Sequence, residues 1–139
     1  KYNTRDIQFT YRNSSFSDNE ILIDALFKCK RGKKDIIMSK KNKASMLRKK
    51  NQPLKYRSAG SVFKNPEEIA AGYLIDQAGL KGQRSGGAEI SRKHANFIIN
   101  SNHAKYIDVL DLIRIIKKKV YNLYKIKLEL EIKIIGEIN

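Results

Sequence analysis

Arg57-Ser58-Ala59-Gly60-Ser61-Val62-Phe63-Lys64-Asn65-Pro66 is the stretch from which the fold is read. Gly60 permits close backbone approach and dihedrals closed to other residues. Ser61 puts a hydroxyl directly after it, and the apolar pair Val62 and Phe63 follows. Lys64 and Asn65 add a cation and an amide, and Pro66 ends any strand that Ser61 begins. The result is a short strand with one presented hydroxyl and two polar side chains near its end. Two readings fit these residues: a tight turn with an edge strand, or a site built on that strand.

Downstream, Pro66-Glu67-Glu68 reads as a helix start, with acids at the positive end of the helix dipole. Ile69, Tyr73, Leu74 and Gln77 fall on one face at helical spacing, and Gly79 suits a C-terminal cap. Gly82, Gly86 and Gly87 carry neither a dinucleotide fingerprint nor a Walker pattern, so they read as tight turns between short strands. Ala88–Ser91 and Asn96–Ile99 read as those strands, with Asn100-Ser101-Asn102 as a loop. Tyr106–Tyr124 is the clearest helix. Ile107, Leu110, Ile113 and Tyr121 follow 3–4 spacing, and Val109, Leu112, Ile116, Val120 and Leu123 widen the stripe. Ile126–Ile135 alternates apolar with charged residues, the mark of a strand with one face buried.

Upstream, residues 2–16 read as loop and short strand, with Ile7, Phe9 and Tyr11 alternating. Ile21–Lys30 is short and apolar and reads as a strand, with Arg31-Gly32 as its turn. Residues 33–50 suit a mostly solvated helix with a narrow apolar stripe, ended by Gln52-Pro53. Strands and helices mix without a regular βαβ period. The fold class is therefore α+β, a small mixed or antiparallel sheet with helices on one face. A domain boundary falls near Gly32, dividing residues 1–32 from residues 33–139.

The chain has 139 residues, enough for one or two small domains with a buried core. It opens at Lys1 in mid-pattern, which suggests a piece of a longer protein. It has no apolar run of about 18 residues, so no membrane span is read from it. Cys29 is the only cysteine. It excludes an intrachain disulfide and a cysteine zinc cluster and fits a reducing compartment, the cytoplasm. No His/Cys/Asp cluster has metal-ligand spacing. The net charge is +15 and the pI about 9.9. Such values favour nucleic acid as a partner. The lysines are spread over the chain, however, among many Ile and Asn, a mixture that genome nucleotide bias produces without any partner. A basic nucleic-acid-binding module is the alternative reading, without an RNP or helix-turn-helix pattern to support it.

Several motifs carry a family resemblance together. Gly60-Ser61-Val62-Phe63-Lys64-Asn65-Pro66 resembles the signature of the UDP-N-acetylenolpyruvoylglucosamine reductase family. Ala78-Gly79-Leu80-Lys81-Gly82, Gly86-Gly87-Ala88, Ser91-Arg92-Lys93-His94-Ala95-Asn96-Phe97 and the closing Leu128–Gly136 stretch fall in that family's order and spacing. Tyr11-Arg12-Asn13-Ser14-Ser15-Phe16 is similar to its Tyr-Arg-Asp-Ser-x-Phe, with Asn13 in place of the acid. The resemblance covers nearly the whole chain.

The resemblance implies an FAD-dependent, NADPH-using reductase. It converts UDP-N-acetylglucosamine enolpyruvate to UDP-N-acetylmuramate for peptidoglycan, with no membrane or nucleic acid involved. NADPH reduces the flavin, and the flavin passes hydride to C3 of the enolpyruvyl group. Charge then builds at C2 and spreads into the carboxylate. By the family's motifs Arg12, a planar fork suited to a carboxylate, stabilises that charge. Ser61 is the general acid that protonates C2. Glu131, the second Glu of Leu128-Glu129-Leu130-Glu131, is the third catalytic residue, bonding the carboxylate if its pKa is raised. By pattern alone Glu131 is a solvated strand charge, as Arg12 is a surface charge and Ser61 a turn serine. Tyr11, Lys64 and Asn65 are the substrate-binding residues on the same resemblance, and Lys64 is also the candidate to support the Ser61 anion. His94 reads as a packing residue of a turn and His103 as a loop residue.

The short interval between Arg12 and Ser61 resembles the family's shorter type. The resemblance also makes residues 1–32 the tail of the FAD-binding domain and residues 33–139 the substrate-binding domain. The flavin and NADPH contacts then belong mostly to a part outside this chain, which alone should be inactive.

Overall fold

A computed structural model describes residues 1–17, 19–67 and 69–136. The chain divides into two compact units, Lys1–Asn42 and Lys43–Asn139. No helix among the described residues is long and apolar enough to cross a membrane.

The first unit opens with a 3₁₀ turn, Thr4–Asp6, followed by the hairpin strands β1 (Phe9–Thr10) and β2 (Asn13–Ser14). The Phe16 ring gathers Tyr2 and Phe9 edge-on, with centroids at 5.7 and 6.4 Å. Residues 21–33 form no regular element, against the strand expected over Ile21–Lys30. Ile21 is 88%, Ile23 92% and Phe27 80% exposed. The physical reason is that a strand's backbone groups need a neighbouring strand, and the only ladder in this unit's described residues joins β1 to β2. Helix α1 (Lys34–Asn51) begins here and agrees with the solvated helix expected; none of its residues is buried.

The second unit holds the core. Its sheet has the order β3-β6-β5-β4, all antiparallel, from β3 (Arg57–Ser61), β4 (Arg84–Ser85), β5 (Ala88–Ile90) and β6 (Phe97–Asn100). Helices α2 (Ala71–Gln77) and α3 (Tyr106–Tyr124) complete the α+β architecture, with α3 against β4, β5 and α2. Leu112, Ile113, Ile116 and Val120 of α3 meet Leu74, Ile75, Ala88, Ile90, Ile98, Val62 and Phe63 in one cluster. Phe63 is wholly buried.

Two expected elements shift. Helix α2 begins at Ala71, five residues after Pro66, and has no acid in its first turn. Ile69 N instead bonds Pro66 O at 3.3 Å in a turn, and Glu68 lies outside the described residues. The buried face of α2 is Ala71, Leu74 and Ile75, while Tyr73 is 56% exposed. The side facing α3 and the sheet decided this, not the apolar spacing alone. Gly79, at φ +71, follows the C-cap as expected, its N–H on Asp76 O at 2.9 Å. The strand expected over Ile126–Ile135 does not form: burial alternates from Ile126 to Leu130, Glu131 is half-buried and Ile135 is exposed, and the stretch joins the sheet through the bridge of Leu130 to Phe63, since one bridge gives no ladder.

The β4–β5 hairpin turns on Gly86-Gly87. The Asp108 carboxylate of α3 accepts from Gly87 N at 3.0 Å and from Lys105 N at 2.9 Å, tying the hairpin to the helix start. These two backbone donors hold Asp108 below its ordinary pKa of 3.8. Because the folded pKa is depressed, the contribution is complete above 3.8 and disappears as pH falls through the folded value. Asp108→Asn should therefore lower the thermal midpoint near neutral pH, and the gap to wild type should close as pH falls below 3.8 through the depressed folded value. A gap independent of pH would contradict the assignment.

Candidate functional site

The site is assembled around the end of β3. Ser58 pairs with Ile99 and Ser61 with Phe97, so β3 carries one extra residue between them. Gly60, at φ +85, supplies the conformation this bulge needs. Ser61 is thus the last residue of a strand, not the first as the sequence suggested, and the bulge sets its direction.

Beyond Ser61 the chain is clamped from both sides. Val62 N donates to Asn96 O at 2.8 Å. The buried Asn96 side chain takes Phe63 N at 3.0 Å and gives its own N–H to Phe63 O at 2.8 Å, replacing a strand neighbour with an amide. On the other side Lys64 N donates to Glu129 O and Glu131 N to Val62 O, both at 2.9 Å. These bonds bring Glu131, half-buried, opposite Val62, the residue after Ser61. The Lys64 ammonium pairs with the Glu129 carboxylate at 3.3 Å. Both ends of that pair are solvent-accessible, so it orients Lys64 more than it stabilises. Asn65 lends its Oδ1 to Ala71 N at 3.1 Å and so caps α2.

Four of the residues singled out in the sequence, Ser61, Lys64, Asn65 and Glu131, therefore belong to the second unit, on or paired with the stretch from Ser61 to Asn65. Tyr11 and Arg12 belong to the first. They form the two-residue turn between β1 and β2. Arg12 stands at φ +56, a strained conformation for a side chain of that size, with its guanidinium 5.4 Å from the Tyr11 ring centroid.

A cavity of about 440 Å³ opens against Ser61. Arg48, Gln52, Tyr56, Arg57 and Phe97 wall it. Sequence reasoning missed Arg48, Arg57 and Asn96. Arg48 and Arg57 carry no signal in the sequence that sets them apart from the chain's other basic residues. Asn96 had a signal: a single amide inside the apolar run Ala95 to Ile99, where burial demands a hydrogen-bond partner. His94 packs its ring edge-on to Phe97 at 4.9 Å and accepts Asn96 N on Nδ1 at 3.2 Å. Burial first, and then the Lys81 charge, push its pKa below 6.5, so the neutral ring is favoured.

Residues 52–135, more than half of the chain, match the family model described as UDP-N-acetylenolpyruvoylglucosamine reductase, C-terminal domain. The UDP-N-acetylenolpyruvoylglucosamine reductase of Syntrophus aciditrophicus is 45% identical over 133 residues, covering 96% of this chain and 43% of the relative. That of Caldicellulosiruptor bescii is 49% identical over 135 residues, covering 95% and 43%. The crystal structure of UDP-N-acetylenolpyruvylglucosamine reductase from Thermus caldophilus superposes with a TM-score of 0.81 at 39% identity, covering 95% of this chain and 47% of that one. The chain spans less than half the length of each of these relatives.

Proposed function

We propose, because the chain belongs to the UDP-N-acetylenolpyruvoylglucosamine reductase family, that it forms the substrate-binding part of an oxidoreductase of peptidoglycan synthesis. The reaction is reduction of UDP-N-acetylglucosamine enolpyruvate to UDP-N-acetylmuramate in the cytoplasm, with NADPH as reductant and FAD as carrier. Residues 33–139 are the substrate domain, and residues 1–32 the tail of the FAD-binding domain. The observation that supports the reading is the Glu131 N to Val62 O bond, which pairs the backbone of the closing stretch with the residue next to Ser61.

The lining of the cavity at Ser61 separates a nucleotide diphosphate from a flavin. Two guanidiniums, an amide and a phenol suit a nucleotide diphosphate. They do not suit the broad apolar face of a flavin, so no step is assigned to flavin-holding residues of this chain. The flavin, when bound in the complete protein, supplies hydride to C3.

This chain's residues handle charge and the proton. Arg48 and Arg57 hold the diphosphate at the cavity mouth. Glu131 meets the substrate carboxylate, where negative charge accumulates as the double bond is reduced, and the family's Tyr-Arg motif gives Arg12 the same charge to stabilise. The Ser61 hydroxyl gives its proton to C2. The bulge at Gly60 and the Asn96 clamp keep that hydroxyl in one position, which is what a positioned acid requires.

The reading is tested by half-reactions of the full-length protein. Glu131→Gln should slow oxidation of the reduced flavin by the enolpyruvyl substrate about a hundredfold. Flavin reduction by NADPH should stay near the wild-type rate, since Glu131 acts only in the second half-reaction. Stopped-flow traces with both halves equally impaired would remove Glu131 from this role.

A further inference from the structure

The β5–β6 turn is a fixed post. The Ser91 hydroxyl, 1% exposed, accepts the backbone N–H of Lys93 at 3.2 Å and of His94 at 3.3 Å. Phe97 N closes the turn on His94 O at 3.0 Å. From this turn the Lys93 ammonium donates to the backbone carbonyl of Lys49. Lys49 lies in the last turn of α1, where carbonyls lack intrahelical partners and the negative end of the dipole attracts a cation. Helix α1 buries no side chain, so packing does not hold that turn. Its own Arg48, Lys49 and Lys50 crowd there and repel one another. The same turn supplies Arg48, whose Nε donates to Gln52 Oε1 at 2.9 Å, and both side chains wall the cavity at Ser61.

We propose that Lys93 is a positioning residue for that cavity. Its bond to the Lys49 carbonyl pins the last turn of α1 to the β5–β6 turn and fixes where Arg48 and Gln52 stand. Lys93 does not wall the cavity, so it acts through α1. The inference rests on the reading of this cavity as the site of the UDP moiety.

The test uses the full-length protein with Lys93→Ala and Lys93→Arg. In Lys93→Ala, amide exchange at Asn51 and Gln52 should speed up about tenfold, because the turn opens locally. KM for the enolpyruvyl nucleotide should rise about fivefold with kcat within about twofold, the mark of lost uniform binding. Lys93→Arg, which keeps a donor and a charge, should restore both. In an Arg48→Ala background, Lys93→Ala should add no further loss of kcat/KM, since it works through Arg48. Unchanged exchange in Lys93→Ala overturns the clamp whatever the kinetics. Faster exchange with an unchanged KM, or a fully additive double variant, overturns the positioning role. Wild-type protein that fails to turn over the enolpyruvyl nucleotide sinks the functional reading instead. UDP affinity by calorimetry then replaces KM, and wild-type and Lys93→Ala proteins of equal affinity overturn the inference.

Discussion

Ser61→Ala in the full-length protein should slow single-turnover oxidation of the reduced flavin by the enolpyruvyl substrate about 10²- to 10⁴-fold, the usual loss on removing a positioned general acid. Folding should barely change. Ser61 is the last residue of β3 and half-buried, and the replacement removes one oxygen, so the effect should stay within about 0.5 kcal/mol. NADPH should reduce the flavin at the wild-type rate. Ser61→Cys restores a donor of different acidity and geometry and should recover part of the rate. A Ser61→Ala variant within about threefold of wild type would end the assignment, on the same scale for a general acid. The proton would then have to come from another group, and His94, held neutral beside Phe97, is the next to test.

Gly87→Ala should have the largest effect on stability. A Cβ at Gly87 would stand 2.0 Å from the backbone oxygen of Asn102 and 2.5 Å from Ala104 N. Both are backbone atoms, which cannot turn aside as a side chain can. Gly87 is also a junction. Its carbonyl accepts Ser101 N and Asn102 N, each at 3.0 Å, and its N–H goes to Asp108. Relieving the clash must move the β4–β5 hairpin, the loop after β6 or the start of α3. Overpacking costs about 1–3 kcal/mol and sometimes more, and a backbone clash belongs at the top of that range. A fall in thermal midpoint of roughly 10 °C or more follows for a unit of this size. Gly60→Ala is the comparison. Nothing lies within 4 Å of its Cβ, so only the positive φ of +85 resists, at about 1–2 kcal/mol. A Gly87→Ala protein that melts above Gly60→Ala would refute the packing argument.

Local signals carried far in this chain. Tyr106–Tyr124 is a helix with the bounds its spacing gave, because an apolar stripe at 3–4 spacing is a property of consecutive residues. Gly79 ends α2 and Gly86 turns the hairpin for equally local reasons, since glycine meets their positive φ without strain. The chemistry of the site was legible in the same way. A hydroxyl after glycine, a cation and an amide before proline, and a carboxyl in the closing stretch are all written in the sequence.

What faces what was decided only by the tertiary structure. The alternation from Ile126 to Leu130 gave which side chains are covered there but neither their partner nor the half-burial of Glu131. Backbone hydrogen bonds from Lys64 N to Glu129 O and from Glu131 N to Val62 O, between segments remote in sequence, pair the closing stretch with the residues after Ser61. Those bonds depend on the bulge that ends β3 and on the Asn96 amide that holds Phe63. The strand expected over Ile21–Lys30 did not form for the same reason in reverse: its apolar residues have strand character, but strand pairing is a contract between distant segments. The face of α2 followed the core it met, with Ala71, Leu74 and Ile75 turned inward and Tyr73 left outside. Helical spacing and turn chemistry are fixed by neighbours in the chain. Strand partners, and with them the pairing of Glu131 with Val62, are fixed by which backbone donors and acceptors remain unpaired once the core has closed.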